Sequence, residues 1–192
     1  MKNFRTAPVT LTVGGICLLL ACLGESETGM LAWERGALHN GELWRLWTGH
    51  LVHFSASQAL AETLALVVAG MYAEPLVGSR RFGLLLACAA DLLSLGMLTL
   101  APGLNEYRGA SGLATLTAVL AGALAWRRQP GLRPVIGCAA LALAAKTLWE
   151  AAARVAAFTE LPAGVAVAWQ ADLLGVLLGA WAAAWIARER AL

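Results

Sequence analysis

Charge is scarce in this sequence. Only 14% of its 192 residues are charged and only three are histidine, which leaves no basic tract of the kind that grips nucleic acid. The four cysteines, Cys17, Cys22, Cys88 and Cys138, stand singly in apolar runs. Their spacing matches neither a metal site nor a redox pair, so we expect no metal and no other cofactor and read them as small core or lipid-facing residues. Internal repeats and low-complexity tracts are missing too, beyond a general richness in alanine and leucine.

What the chain has in quantity is apolar sequence. Hydrophobic residues make up 59% and the mean hydropathy is +0.68, the profile of a membrane protein with the length of one domain. A spanning helix needs roughly 20 apolar residues to cross a core of about 30 Å. Six segments fit approximately: 9–23, 57–76, 82–101, 111–126, 132–149 and 166–187. The expected fold is an all-α, six-helix membrane bundle over 1–192. The loops sort by charge. Lys2, Arg5, Arg80, Arg81, Arg127, Arg128, Arg133, Arg188 and Arg190 fall on one side, while Arg35, Arg45, Arg108 and Arg154 lie among the acids of the other. The positive-inside rule then puts both termini in the cytoplasm. Lys2 and Arg5 followed by "LLAC" also fit a lipoprotein signal; a first spanning helix is the reading carried forward, because a cleaved signal leaves an odd number of spans.

The longest outer connection, 24–56, holds Trp33, Trp44, Trp47 and all three histidines, His39, His50 and His53. Tryptophan favours the headgroup level, so "GELWRLWTGHLVHFS" suggests an amphipathic helix at the outer surface. Other connections, "EPLVGSRR", "APGLNEYRG", "RRQPGLRP" and "ELPAG", carry turn signals.

Ionisable residues inside spans usually face the bundle interior and mark function. Gln58 and Glu62, four apart, share a face of the second helix. Asp172 lies about six residues into the last helix, roughly 9 Å deep, and Ser111 opens the fourth. These four polar groups reach similar depth under the outer surface. Asp91 and Lys146 receive a structural reading: Lys146 snorkels outward, or either residue finds a polar partner within the bundle. In "RGASGLATL" a serine between Gly109 and Gly112 is either a cap or turn or a nucleophile beside N–H groups that hold an oxyanion. Gly175 and Gly179 form a small-xxx-small pair, matched by Gly112, Ala118 and Gly122 on the fourth helix, and contact there brings Ser111 towards Asp172.

Over 43–187 the chain resembles the rhomboid family of intramembrane serine proteases, and within it the rhombosortase branch. "LWRLWTGHLVHFS" looks like the stretch entering the family's second helix, "EPLVGSRRF" like the following turn, and "YRGASG" like its nucleophile motif. "KTLWE" with "VAVAWQADLLGVLLG" is similar to the branch's ending. The resemblance implies Ser111 as nucleophile. It also implies cleavage of the C-terminal transmembrane anchors of exported proteins near the outer face of a bacterial inner membrane, on the side of the periplasm or cell exterior. Three positions depart from the pattern: Asp172 stands where the family keeps its catalytic histidine, and Gln58 and Glu62 where it keeps the His and Asn that help bind the oxyanion. His53 matches an upstream histidine that is not the base.

Two functions follow. In a protease, Ser111 attacks, Asp172 is the base, and Gln58, Glu62 and the N–H groups around Gly109 and Gly112 hold the oxyanion. In a pseudoprotease the same cavity binds or escorts a transmembrane segment without cutting it. A proton or transport site at Glu62 and Asp172 is a distant third, since neither repeats nor broken-helix signals accompany it.

Overall fold

A computed structural model describes residues 6–157, 161 and 165–189. Lys2, Arg5 and Arg190, used above to orient the chain, and most of the "ELPAG" turn lie outside the described residues. The protein is mostly helical: α1 (Pro8–Ala21), α2 (Glu25–Thr28), α3 (Arg35–His39), α4 (Arg45–Thr48), α5 (Ala56–Val77), α6 (Ser79–Leu100), α7 (Ser111–Arg128), α8 (Arg133–Ala153) and α9 (Trp169–Glu189). Each of the six expected apolar segments coincides with one long helix. Among the described residues four elements, α5, α6, α8 with its 3-10 lead-in, and α9, are long and apolar enough to cross a membrane alone. α1 is a shorter apolar helix of 14 residues.

Local chemistry sets the helix ends. Pro8 opens α1 where its missing N–H costs nothing. The Ser55 side chain caps α5 by accepting from the Gln58 N–H at 3.2 Å. A single residue, Gly78, turns the chain from α5 into α6 with φ of 94°, a conformation glycine adopts without strain. α8 runs to Ala153, four residues past the expected boundary of 149, and is closed by Arg154 in the left-handed conformation. Consequently Glu150 is helical and lies one turn from Lys146.

α7 is the centre of the bundle. Leu113, Leu116, Leu120 and Leu124 on it are buried against Leu66 of α5 and Phe82, Leu86 and Leu93 of α6. Lipid removes most of the hydrophobic drive between spanning helices, so close fit and polar contacts decide how they associate. The fit of α9 on α7 shows this. A Cβ on Gly179 would stand 2.6 Å from the Leu116 carbonyl oxygen and 2.9 Å from Val119 Cβ, and one on Gly175 would run into the Gly112 carbonyl. Two glycines one turn apart thus let the backbones touch. The polar counterpart is Glu74, fully buried on α5. Its carboxylate accepts from the Val9 N–H at 3.0 Å and from the Thr10 N–H and hydroxyl, both at 2.7 Å. It therefore caps the start of α1 from another helix.

The outer connection departs from the continuous amphipathic helix expected there. Only α4, four residues, is helical within "GELWRLWTGHLVHFS". Long-range bonds organise the rest. Strand β1 (Trp33–Glu34) pairs antiparallel with β2 (Glu106–Tyr107). The Arg35 guanidinium donates to the carbonyls of Leu98, Ala101 and Leu104 at 2.8 to 3.0 Å, satisfying the orphan acceptors at the end of α6. Arg45 similarly serves Gly29 and Ala32. Trp44 and Trp47 are exposed, but Trp33 is fully buried.

Candidate functional site

Beneath the outer loops, α5, α7, α8 and α9 surround a cavity of about 290 Å³. Ser111, Asp172, Gln58 and Glu62 all line it, together with Tyr107, Arg108, Thr115, Lys146 and Glu150. Alanines from α5 and α7, among them Ala61, Ala65 and Ala114, form its apolar walls. The polar side chains on three separate helices thus share one chamber.

Ser111 is the first residue of α7, and its N-cap, Ala110, provides no side-chain acceptor. Gly109 approaches with φ of 148°. A Cβ there would sit 2.8 Å from both Gln58 Nε2 and Glu62 Oε2, so α5 presses its polar pair directly against the backbone beside the serine. His53 is not among the cavity-lining residues; its ring is buried behind Glu62, with Nε2 3.4 Å from Glu62 Oε2 but not aligned as a hydrogen bond.

The partners taken by these groups determine what they can do. Both amide hydrogens of Gln58 are engaged, with Nε2 donating to Glu62 Oε1 at 3.1 Å and to the Arg108 carbonyl at 2.9 Å. Its oxygen accepts from the Phe54 N–H. Asp172 is 2% exposed. Thr115 donates to its Oδ1 at 3.3 Å, and Lys146 Nζ donates to its Oδ2 at 2.5 Å. Among the described residues no hydrogen bond joins Ser111 to Asp172, although α7 and α9 do touch.

Of the two courses open to Lys146, the structure shows the polar partner within the bundle. It does not snorkel outward but turns inward, bridging Asp172 and Glu150, the latter at 2.7 Å. The reason is the pair of buried carboxylates: an ammonium between two acids is better placed there than in water, because each unpaired buried charge costs several kcal/mol. Asp172 also sits in the first turn of α9, nearer the helix start than expected, where the partial positive charge of the N-terminus adds to the anion's stability. Lys146, Glu150, Thr115 and Tyr107 are site residues that sequence reasoning did not assign. The i, i+4 spacing of Lys146 and Glu150 was the available signal.

Outside the spans, burial dominates. The Tyr107 phenol is pushed well above its ordinary pKa by burial and then by the Glu62 charge, so it is a neutral donor, bonding the Gly109 carbonyl at 2.6 Å. Burial pushes His50 down to about 4. Its Nε2 lies 3.1 Å from the Ala90 carbonyl and 3.0 Å from Ser94 Oγ, and its ring meets Tyr107 edge-on at 5.4 Å. It is a structural histidine behind the site.

These features define an integral membrane protein with a polar cavity set among its spanning helices. The chain matches the Rhomboid domain family over residues 40–189, and it belongs to the rhomboid family, whose members act on transmembrane segments within the bilayer. No curated protein matches it.

Proposed function

We propose that this rhomboid-family chain, of the rhombosortase type, binds or escorts the C-terminal transmembrane anchors of exported proteins without cleaving them. The observation that carries the reading is the engagement of Asp172. The residue standing where the family keeps its base has both oxygens directed to Thr115 and Lys146, and neither is hydrogen-bonded to the Ser111 hydroxyl. Gln58 has no N–H left for an oxyanion. The cavity meanwhile keeps apolar alanine walls on α5 and α7, against which side chains of a segment can pack.

In this reading the whole of 1–192 is one rhomboid-like domain with six crossings, since α1 and α7 run with the four longer helices. The arginine-rich connections, with both termini, face the cytoplasm, and the cavity opens towards the periplasm or cell exterior from a bacterial inner membrane. The anchor segment lies against the alanines of α5 and α7, with its outer end at Ser111.

A second reading, a serine protease with Ser111 as nucleophile and Asp172 as base, draws on the position of Ser111 at the head of α7 inside the cavity. A serine-directed fluorophosphonate probe separates the two. The purified protein should stay unlabelled under conditions that label an active rhomboid, and Ser111→Ala should cross-link to an anchor segment as well as the wild type does. Labelling that disappears in Ser111→Ala would overturn the proposal in favour of the protease.

A further inference from the structure

A second hollow, of about 180 Å³, lies between the far ends of α7 and α9. Arg127 follows Ser111 by 16 positions along α7, a rise of about 24 Å at 1.5 Å per residue, so this hollow opens at the membrane interface opposite the outer cavity. Trp126 and Trp185, both exposed, adjoin it in sequence, and tryptophan favours the headgroup level. Its floor and walls are apolar. Leu124 and Ile186 are buried at its base, and Ala123, Ala183 and Ala187 line it with nothing longer than a methyl group.

The rim is basic. Arg127 and Arg128 complete the lining, both are exposed, and among the described residues neither makes an ion pair or a hydrogen bond. Arg81 by contrast holds Glu189 of α9 at 2.8 Å, so that carboxylate does not serve the two arginines. Arg133 lies over the Trp126 ring and donates to the Trp126 carbonyl at 3.2 Å. Two cations in the last turn of α7 suit the helix dipole, but the dipole requires no hollow beside them.

We propose that this hollow seats the phosphate and glycerol of an anionic phospholipid. Two guanidinium groups offer charge-assisted, bidentate bonds to phosphate oxygens, and basic pockets between spanning helices suit anionic headgroups. The apolar walls decide between sources of phosphate. A free phosphate ion gains nothing from alanine, leucine and isoleucine, whereas a phospholipid brings its glycerol and first methylenes to such a surface. The bound lipid then bridges α7 to α9 at the end remote from Ser111, whatever the outer cavity does.

The full-length protein, stripped of lipid in a neutral detergent, is titrated with phosphatidylglycerol and separately with phosphatidylcholine, and bound lipid is counted by native mass spectrometry. One phosphatidylglycerol should bind about thirtyfold more tightly than phosphatidylcholine, about fivefold for each arginine near the headgroup. Arg127→Gln and Arg128→Gln should each lose about fivefold, and Arg80→Gln, at an exposed arginine outside the hollow, should lose nothing. Ala183→Leu fills the space without touching the charge and should weaken binding at least as much as either change in the hollow. Ala123→Leu does the same from α7, and replaces it if Ala183→Leu lowers the unfolding midpoint. Glycerol 3-phosphate at the lipid's own concentration should displace nothing. Equal affinity for the two lipids, or a loss in Arg80→Gln as large as in Arg127→Gln and Arg128→Gln, reduces the effect to diffuse attraction and refutes the site. Undiminished binding in both leucine variants refutes the seat within the hollow, and displacement by glycerol 3-phosphate overturns the lipid assignment in favour of a soluble phosphate ester.

Discussion

Lys146→Met removes the one cation that two buried acids share among the described residues. Among the described residues no other cation pairs with Asp172 or Glu150, which are 2% and 4% exposed. Removing the ammonium leaves two buried carboxylates without their shared counter-ion, and a loss of roughly 3 to 5 kcal/mol is expected when a buried pair loses one partner. Asp172→Asn is far milder. Lys146 keeps Glu150, Thr115 keeps an acceptor, and the loss is about 1 to 2 kcal/mol, that of one charged hydrogen bond. In the double variant a lone Glu150 remains, so the two losses should fall short of their sum by about 2 kcal/mol. Denaturant unfolding of the solubilised protein, followed by tryptophan fluorescence, measures all three. Equal losses in the two single variants, or strict additivity in the double, would refute the account of Lys146 as the shared counter-ion.

Three further outcomes are expected. Gly179→Val drives a side chain into the Leu116 carbonyl and Val119, which should cost about 1 to 3 kcal/mol by overpacking and be visible as a lowered unfolding midpoint, whereas Gly15→Val, in open space, should not. Glu74→Ala removes three acceptor contacts from the start of α1, so the buried thiol of Cys17, in a background lacking the other cysteines, should become reactive to maleimide, while Glu74→Gln should be intermediate. Stability should also fall in acid through His50. Its folded pKa of about 4 lies below the unfolded value of 6.5, so the unfolded chain binds the proton first. The contribution is complete above pH 6.5 and lost as pH drops towards 4, about 3 kcal/mol in all. Unfolding at pH 7 and pH 5 should differ by roughly 2 kcal/mol on this account, and His50→Asn should flatten the dependence.

The helices were legible because apolar runs and turn residues alternate at membrane-sized intervals, and each long helix begins within a few residues of where those signals put it. The contact of α7 with α9 was legible for a simple reason as well: glycines at 175 and 179 leave one stripe without side chains. The outer connection was not, since its order comes from Arg35 reaching α6 and from β1 meeting β2 more than seventy residues on, contacts that leave no periodicity. Nor was the direction of Lys146. Its position on α8 permits either water or the interior, and the choice is made by Asp172 and Glu150, one of which is a different helix away. Gln58 and Glu62 were found as a pair from their spacing, but that they would bond each other, and so spend an amide hydrogen, depends on the Gly109 backbone filling the space beside them.

The Arg35 guanidinium gathers carbonyls from the last turn of α6 and from the loop beyond it, so one side chain rivets two separate stretches of connecting chain to a spanning helix. Replacing it should loosen that whole crust at once, not a single turn of it.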